Sequence, residues 1–266
     1  MRINIIKWDG CLSALKDYCD LLSEVYGREF SFDVFKWKHM NSPLGKSIIY
    51  FAYDNDKIVS ARAMLPVYHA LYQSFQPCDT VTHPAYQRRG LISALTKRCL
   101  SDINLDDALI FNFPNNKSYS AYIKLGWVNF SQLSKQFCIS LQSFNCISEG
   151  ELLNYLENKI DKEFYNYLLW RFIKKPNNIY RYSIKNDCLY ISKGNEFAVV
   201  SLHGKQEFPP KTGVHYYFNR LGVSINKYSA SISLKSQARV VCFANSNKKL
   251  NSLFEIYSPL AVMDTF

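Results

Sequence analysis

No apolar run in this 266-residue chain approaches the ~18 residues that a membrane-spanning helix needs, so no membrane span is expected. Its eight cysteines (11, 19, 78, 99, 138, 146, 188, 242) form no C-x-x-C pair and have no regular spacing. That argues against a disulfide framework or a zinc site and predicts small buried hydrophobes in a reducing cytosol. The five histidines form no H-x-x-H or H-E-x-x-H pattern, so no metal is expected. Phosphate-binding signatures of the Gly-x-x-x-x-Gly-Lys-Ser/Thr and Gly-x-Gly-x-x-Gly types are also missing. The N-terminus, 1–10, is too short and too soon charged for a signal peptide and reads as a first edge strand. Acidic residues are scarce: 22 Asp and Glu stand against 32 Lys and Arg, a net charge of +10. Such an excess suits nucleic acid, an acidic membrane surface or a polyanionic small ligand. Nucleic acid would need a basic stripe interleaved with exposed aromatics, and the basic residues here are dispersed except at Arg88 and Arg89, so it is not expected. Aromatics are plentiful, with 19 Tyr and 18 Phe. They predict core and sheet positions, with some tyrosines lining a polar pocket.

The densest information lies at Thr82-His83-Pro84-Ala85-Tyr86-Gln87-Arg88-Arg89-Gly90-Leu91-Ile92. A strand at 76–82 leads into it. A helix at 90–102 follows, with Leu91, Ile92, Leu95 and Cys99 on one face. A strand, a basic turn ending in Gly and then a helix offers unpartnered backbone N–H groups and a favourable dipole to an anion. The other reading is a basic surface turn that caps an ordinary helix. His83 could act as a base or orient the loop. A second segment begins with the apolar strand 108–113 and breaks at Pro114-Asn115-Asn116. It continues as a helix to about Leu125, which Gly126 stops. Asn115, Ser118 and Tyr122 fall at i, i+3 and i+7, on one helix face.

Together these segments resemble the GNAT acyltransferase superfamily. Its acetyl-CoA loop, Gln/Arg-x-x-Gly-x-Gly/Ala, falls on Gln87, Gly90 and Ile92; Ile92 departs from the pattern, since a small residue is usual there. The family's Asn-x-x-Ala/Ser-x-x-x-Tyr-x-x-x-Gly-Phe spacing falls on Asn115, Ser118, Tyr122, Gly126 and Trp127. The resemblance covers about residues 1–145. It implies that Gln87, Arg88, Arg89, Gly90, Leu91 and Ile92 hold the pyrophosphate of acetyl-CoA, a co-substrate, and that Asn115 and Ser118 face its pantetheine arm. It also implies that Tyr122 meets the sulfur as proton donor. A backbone N–H near Val81 or Thr82 would hydrogen-bond the thioester oxygen. Asp79, two residues before Val81 on the same strand, is a candidate base facing the acceptor side; the alternative is a hydrogen-bonded strand-end carboxylate. As a base it would need its pKa raised by burial, or a water relay. Trp37, His39 and Asn41 sit where such folds place acceptor contacts.

The element order is helices 12–26 and 32–40, strands 47–53, 57–68 and 76–82, helix 90–102, strand 107–113, helix 116–125 and strand 127–141. This is the order of a GNAT fold: an α/β (α+β) mixed, twisted sheet flanked by helices, whose fourth and fifth strands splay apart to leave a slot. After residue 145 the pattern starts again. A long helix at 150–173 precedes a tyrosine-rich strand pair at 179–201, and Trp170 to Pro176 repeats the spacing of Trp37 to Pro43. Residues 146–266 are therefore expected to be a degenerate GNAT-like lobe that lacks a phosphate loop. This lobe would complete the acceptor pocket with Tyr180, Tyr182, Tyr190, Tyr216 and Tyr217. Two unrelated helix ends sharing Trp and Pro would give the same spacing. The segment 35–47 resembles GNAT members from bacterial surface-polysaccharide clusters. That implies a cytoplasmic N-acetyltransferase, with a homodimer as one arrangement. It would act on a small-molecule amine, an amino sugar or its nucleotide-linked form, by direct attack in a ternary complex. O-acetylation, transfer of a longer acyl chain, and a non-catalytic acyl-CoA-binding module remain the alternatives.

Overall fold

The computed structural model describes residues 3–140, 145–194, 196–201, 213–218 and 229–243. It divides into two compact units, Met1–Val67 with Tyr72–Phe111, and Tyr68–Leu71 with Asn112–Phe266. The division by compactness falls before residue 145 because the strand at Val128–Ser140 takes its partners from the C-terminal half.

The first unit is built on β1 (Ile3–Lys7), β2 (Ile48–Asp54), β3 (Lys57–Val67), β4 (Gln73–Thr82) and β5 (Ala108–Asn112), paired in that order. The first three pairings are antiparallel and β4–β5 is parallel. The β2–β3 hairpin closes on Asp54 opposite Lys57, with Asn55 at φ 51°, a left-handed conformation that Asn tolerates. Helices α1 (Leu12–Tyr26) and α2 (Phe32–Met40) precede β2, and α3 (Leu91–Ser101) lies between β4 and β5. Neighbouring residues on β2 show how the sheet is flanked. Phe51 meets Tyr18 of α1 edge to face at 5.5 Å, while the Tyr50 hydroxyl donates to Asp102 at the end of α3. Successive strand residues point to opposite faces, so α1 and α3 cover different faces. β3 is buried from Ile58 to Val67, as a central strand covered on both sides must be.

Two irregularities shape this unit. The β4–β5 pairing covers only Gln73–Phe75 against Ala108–Ile110; beyond it the two strands are not paired with each other, which agrees with the splay that the family resemblance implies. On the other edge of β4 the register with β3 shifts between Ala61–Val81 and Ala63–Cys78. Asp79 and Thr80 therefore stand opposite Arg62 alone, forming a β-bulge with Asp79 at φ 44°.

The second unit contains α4 (Asn116–Lys124), β6 (Val128–Ser140), α5 (Glu149–Glu157), α6 (Lys162–Leu168), a π-helical turn at Leu169–Ile173, β7 (Arg181–Lys185), β8 (Cys188–Lys193), β9 (Glu196–Ser201), β10 (Gly213–Phe218) and β11 (Ser229–Phe243). Its strands pair in the order β11-β6-β10-β9-β8-β7. The single long helix expected at 150–173 is two helices and a π turn. Asp161 breaks it, since its carboxylate caps α6 by accepting from the Phe164 N–H at 2.8 Å. The expected strand pair at 179–201 is a three-stranded meander. Asn186 and Asp187, at φ 50° and 55°, make its first turn. Two helices followed by an antiparallel three-stranded meander thus occur in both units, at 12–82 and 149–201.

Tyr180, Tyr182 and Tyr190 are core residues of this unit rather than pocket walls, because their rings pack inside it. The Tyr182 hydroxyl donates to the Phe172 carbonyl, and the Tyr180 oxygen accepts from Lys175. The side chains of Tyr216 and Tyr217 lie outside the described residues. Among the described cysteines five are buried as expected, while Cys11 and Cys146 are exposed. Burial pushes the Cys99 thiol up to about 12 and the Cys19 thiol up to about 11. Among the described residues no helix is long and apolar enough to cross a membrane.

Candidate active site

The basic loop folds as its residues dictate. His83 caps a single 3-10 turn, Pro84–Tyr86, its Nδ1 accepting from the Ala85 N–H while its Nε2 faces Glu24 at 3.3 Å. This places His83 as a residue that orients the loop. Gln87 donates from its side chain to the Thr82 carbonyl, and Arg89 donates to Ala85 while its guanidinium lies over the Tyr86 ring. Arg88 and Gly90 take left-handed φ values of 62° and 74°, and the backbone then enters α3 with Gly90 as its N-cap. Gln87, Arg88, Arg89 and Gly90 are all exposed. A cavity of about 280 Å³ opens here, lined by Thr82, Tyr86, Gln87, Arg88, Gly90, Leu91, Ile92 and Ser93. It joins the N-terminus of an 11-residue helix to a positively charged rim, which suits a pyrophosphate. Ile92 lines this cavity without closing it.

The bulge of β4 carries the second part of the site. One oxygen of Asp79, Oδ2, receives Lys38 Nζ at 2.6 Å and His39 Nε2 at 3.0 Å, and His39 Nδ1 meets Ser47 Oγ at 2.9 Å. Burial pushes the Asp79 carboxyl up. The Lys38 charge and the hydrogen bonds from His39 and Lys38 outweigh it and hold the group well below the usual carboxylate range. The upward shift that direct action as a base would need is therefore reversed, and the carboxylate sits in a hydrogen-bonded network with Lys38 and His39. The bulge also interrupts the alternation from which a common facing of Asp79 and Val81 was inferred. Donor atoms of His39, Cys78 and Asp79 lie within 4.8 Å of one another, a spacing a metal ion could use, but Lys38 already brings positive charge to the carboxylate.

The expected acceptor contacts divide. Trp37 is buried, and His39 is 0% exposed with a partner on each ring nitrogen, because α2 packs onto the bulge. Neither presents surface to a small molecule in this structure; Asn41, at the end of α2, is exposed. A residue the sequence did not single out lies at the start of the splay. Gln76 is 2% exposed and its Oε1 has no hydrogen-bond partner. A buried orphan acceptor costs about 1–3 kcal/mol. Gln76→Met keeps the volume and removes that cost, so chemical denaturation should show stability unchanged or higher. A loss above ~1 kcal/mol would mean the amide has a structural partner.

Asn115, Ser118 and Tyr122 belong to the second unit. Asn115 is the N-cap of α4, its Oδ1 accepting from the Ser118 N–H at 2.9 Å. It therefore precedes the helical face it was expected to share. Ser118 Oγ turns back to Asn115. Tyr122 is buried; its phenol oxygen accepts from Asn112 Nδ2 at 2.6 Å, and its ring meets Trp127 edge to face at 4.8 Å. Gly126, at φ 85°, closes the helix by paired bonds, Gly126 N–H to Ile123 and Trp127 N–H to Tyr122, which fix the segment that carries the phenol.

Residues 12–129 match the family model of the acetyltransferase (GNAT) domain. The fold is similar to that of a candidate acetyltransferase from Pyrococcus horikoshii, with a TM-score of 0.58 and 10% identity over 91% of this chain and 90% of that one. It is similar also to a candidate N-acyltransferase from Enterococcus faecalis V583, with a TM-score of 0.60, 13% identity and 95% and 74% coverage. A GCN5-related N-acetyltransferase from Anabaena variabilis gives a TM-score of 0.61 at 10% identity, with 92% and 74% coverage. No curated protein matches the chain. The phosphate-suited helix start and the family match agree: residues 12–129 of this chain are a GNAT acetyltransferase domain, on a fold shared with solved GNAT-type acyltransferases.

Proposed function

We propose that the chain transfers an acetyl group from acetyl-CoA to the nitrogen of a small polar amine, by direct attack in a ternary complex. The acceptor class is an amino sugar, free or nucleotide-linked, of surface-polysaccharide biosynthesis. The observation that carries the acetyl-CoA half is the cavity at the start of α3, where the first turn of the helix and the basic side chain of Arg88 meet. In this reading residues 87–92 bind the pyrophosphate, and Asn115 with Ser118 faces the arm. Backbone donors near Val81 and Thr82 stabilise the developing oxyanion, and Tyr122 donates a proton to the leaving sulfur. Asp79, tied to Lys38 and His39 and held well below the usual carboxylate range, is too weak a base for the attacking amine, whose proton leaves through water. The amino-sugar class rests on the sequence of residues 35–47. A part for residues 146–266 in acceptor choice rests on the absence of a phosphate loop there.

Gly90→Asp tests the central assignment. It puts a carboxylate where the pyrophosphate would sit and places a non-Gly residue at φ 74°. Calorimetry on the folded variant should show acetyl-CoA binding lost; unchanged affinity would remove the site.

A further inference from the structure

Three consecutive main-chain carbonyls at the β4 bulge each accept a side-chain hydroxyl. The Tyr18 hydroxyl donates to the Asp79 carbonyl, that of Tyr26 to Thr80 at 2.8 Å, and Ser60 Oγ to Val81 at 2.9 Å. Tyr18 and Tyr26 come from α1, about two turns apart, and Ser60 from β3. A regular ladder would supply its own partners along a strand, but the register shift takes Asp79 and Thr80 out of the ladder, while Val81 and Thr82 stay paired with Ala61 and Ser60. The side chains of the bulge are held as well. Asp79 is tied to Lys38 and His39, and Thr80 Oγ1 accepts from Arg62.

We propose that Tyr18, Tyr26 and Ser60 form a hydroxyl clamp that fixes the peptide planes of residues 79–82, so that the backbone N–H groups of residues 80 and 82 face the thioester oxygen of acetyl-CoA while that of Val81 stays in the ladder with Ala61. The geometry follows from the peptide bond. The carbonyl of one residue and the N–H of the next share a rigid plane and point in opposite directions. Holding the carbonyls of 79, 80 and 81 therefore sets the N–H groups of 80, 81 and 82. A hydrogen bond to the carbonyl also polarises that amide and strengthens its N–H as a donor. Burial keeps the Tyr18 and Tyr26 phenols above their usual range, so both remain donors. The three are positioning residues, acting on the substrate only through the backbone, and Asp79 anchors the same bulge from its side chain. The misplacement they prevent is small in distance and large in rate, since about 1 Å can cost ~10²-fold.

The clamp rests on the proposed acetyl-CoA site, and the test separates the two. The probe is acetyl-CoA carrying ¹³C at the thioester carbonyl, bound to the full chain and read by isotope-edited infrared difference spectroscopy, with affinity from calorimetry. In the wild type the bound carbonyl band should move to lower wavenumber than in free acetyl-CoA. In Tyr26→Phe, whose side chain is 55% exposed so that folding is spared, the band should return part-way to the free value, with Kd within about twofold. Ser60→Ala should do the same. Tyr50→Phe removes a hydroxyl that bonds Asp102 instead, and should leave the band in place. A lowered wild-type band retained in full by both Tyr26→Phe and Ser60→Ala overturns the clamp, as does an equal loss in Tyr50→Phe. Wild-type binding with an unshifted band overturns the clamp and leaves the acetyl-CoA site standing. Failure of the wild type to bind acetyl-CoA removes the site and the clamp together.

Discussion

Tyr122→Phe should slow acetyl transfer by ~10²–10⁴-fold while leaving acetyl-CoA affinity nearly unchanged. The ring keeps its edge contact with Trp127, so the cost falls on the hydroxyl, which the hydrogen bond from Asn112 Nδ2 orients. Asn112 loses an acceptor in the variant, and a modest fall in stability, about 1 kcal/mol, should accompany the rate loss. Single-turnover measurement under conditions where chemistry limits the rate separates the two effects. A variant that reacts at the wild-type rate would mean that water protonates the thiolate and that Tyr122 only packs.

The largest effect on stability should come from Lys38→Met. The Lys38–Asp79 pair is largely removed from water, with 11% and 12% of the two side chains exposed. Removing one member of such a pair leaves a buried charge incompletely compensated, at a cost of about 3–5 kcal/mol. His39 still donates to the same oxygen, which places the expected loss at the lower end of that range. Chemical denaturation at neutral pH reads the loss. Lys38→Arg should recover part of it, and adding Asp79→Asn to Lys38→Met should recover more by removing the charge. A loss below ~0.5 kcal/mol would mean that water already solvates the pair.

The same pair sets an acid limit. The Asp79 carboxyl lies lower in the folded chain than its unfolded value of about 3.9. Its contribution is therefore complete above that value, and it is lost as pH falls below about 4 toward the folded pKa. Wild-type stability should fall through that window, and the fall should be shallower in Asp79→Asn.

The elements that could be read from the sequence are those whose signals are local. The Gln87-to-Gly90 turn announces a helix start that accepts anions, and α3 begins there with Gly90 in a left-handed conformation. The order of strands and helices to β6 follows from periodicity and turn residues, and the β4–β5 splay follows from family resemblance. The bulge is different in kind. It arises from a register offset between β3 and β4 and puts a non-glycine residue at φ 44°, which no local pattern at Asp79 foretells. His39, read from the sequence as an acceptor contact, and Lys38, which the sequence did not single out, are buried because that offset aims Asp79 at them. Tyr18 and Tyr26 look like ordinary residues of an amphipathic helix; their partners lie 61 and 54 residues further along the chain. In α5–α6 a local signal was present, the Asp161 cap, but the apolar pattern running across it concealed the break.

The distribution of thiols has a practical consequence. Cys11 and Cys146 are the exposed cysteines among the described residues, and one falls in each compact unit. Hydrogen bonds from Ser13 and neighbouring backbone lower the Cys11 thiol, which raises its thiolate fraction, whereas burial keeps thiols such as Cys99 protonated. The native chain thus has an attachment point for a spectroscopic label on each unit without engineered cysteines. The separation of two such labels, measured with and without acetyl-CoA, would report any movement between the units as the substrate binds.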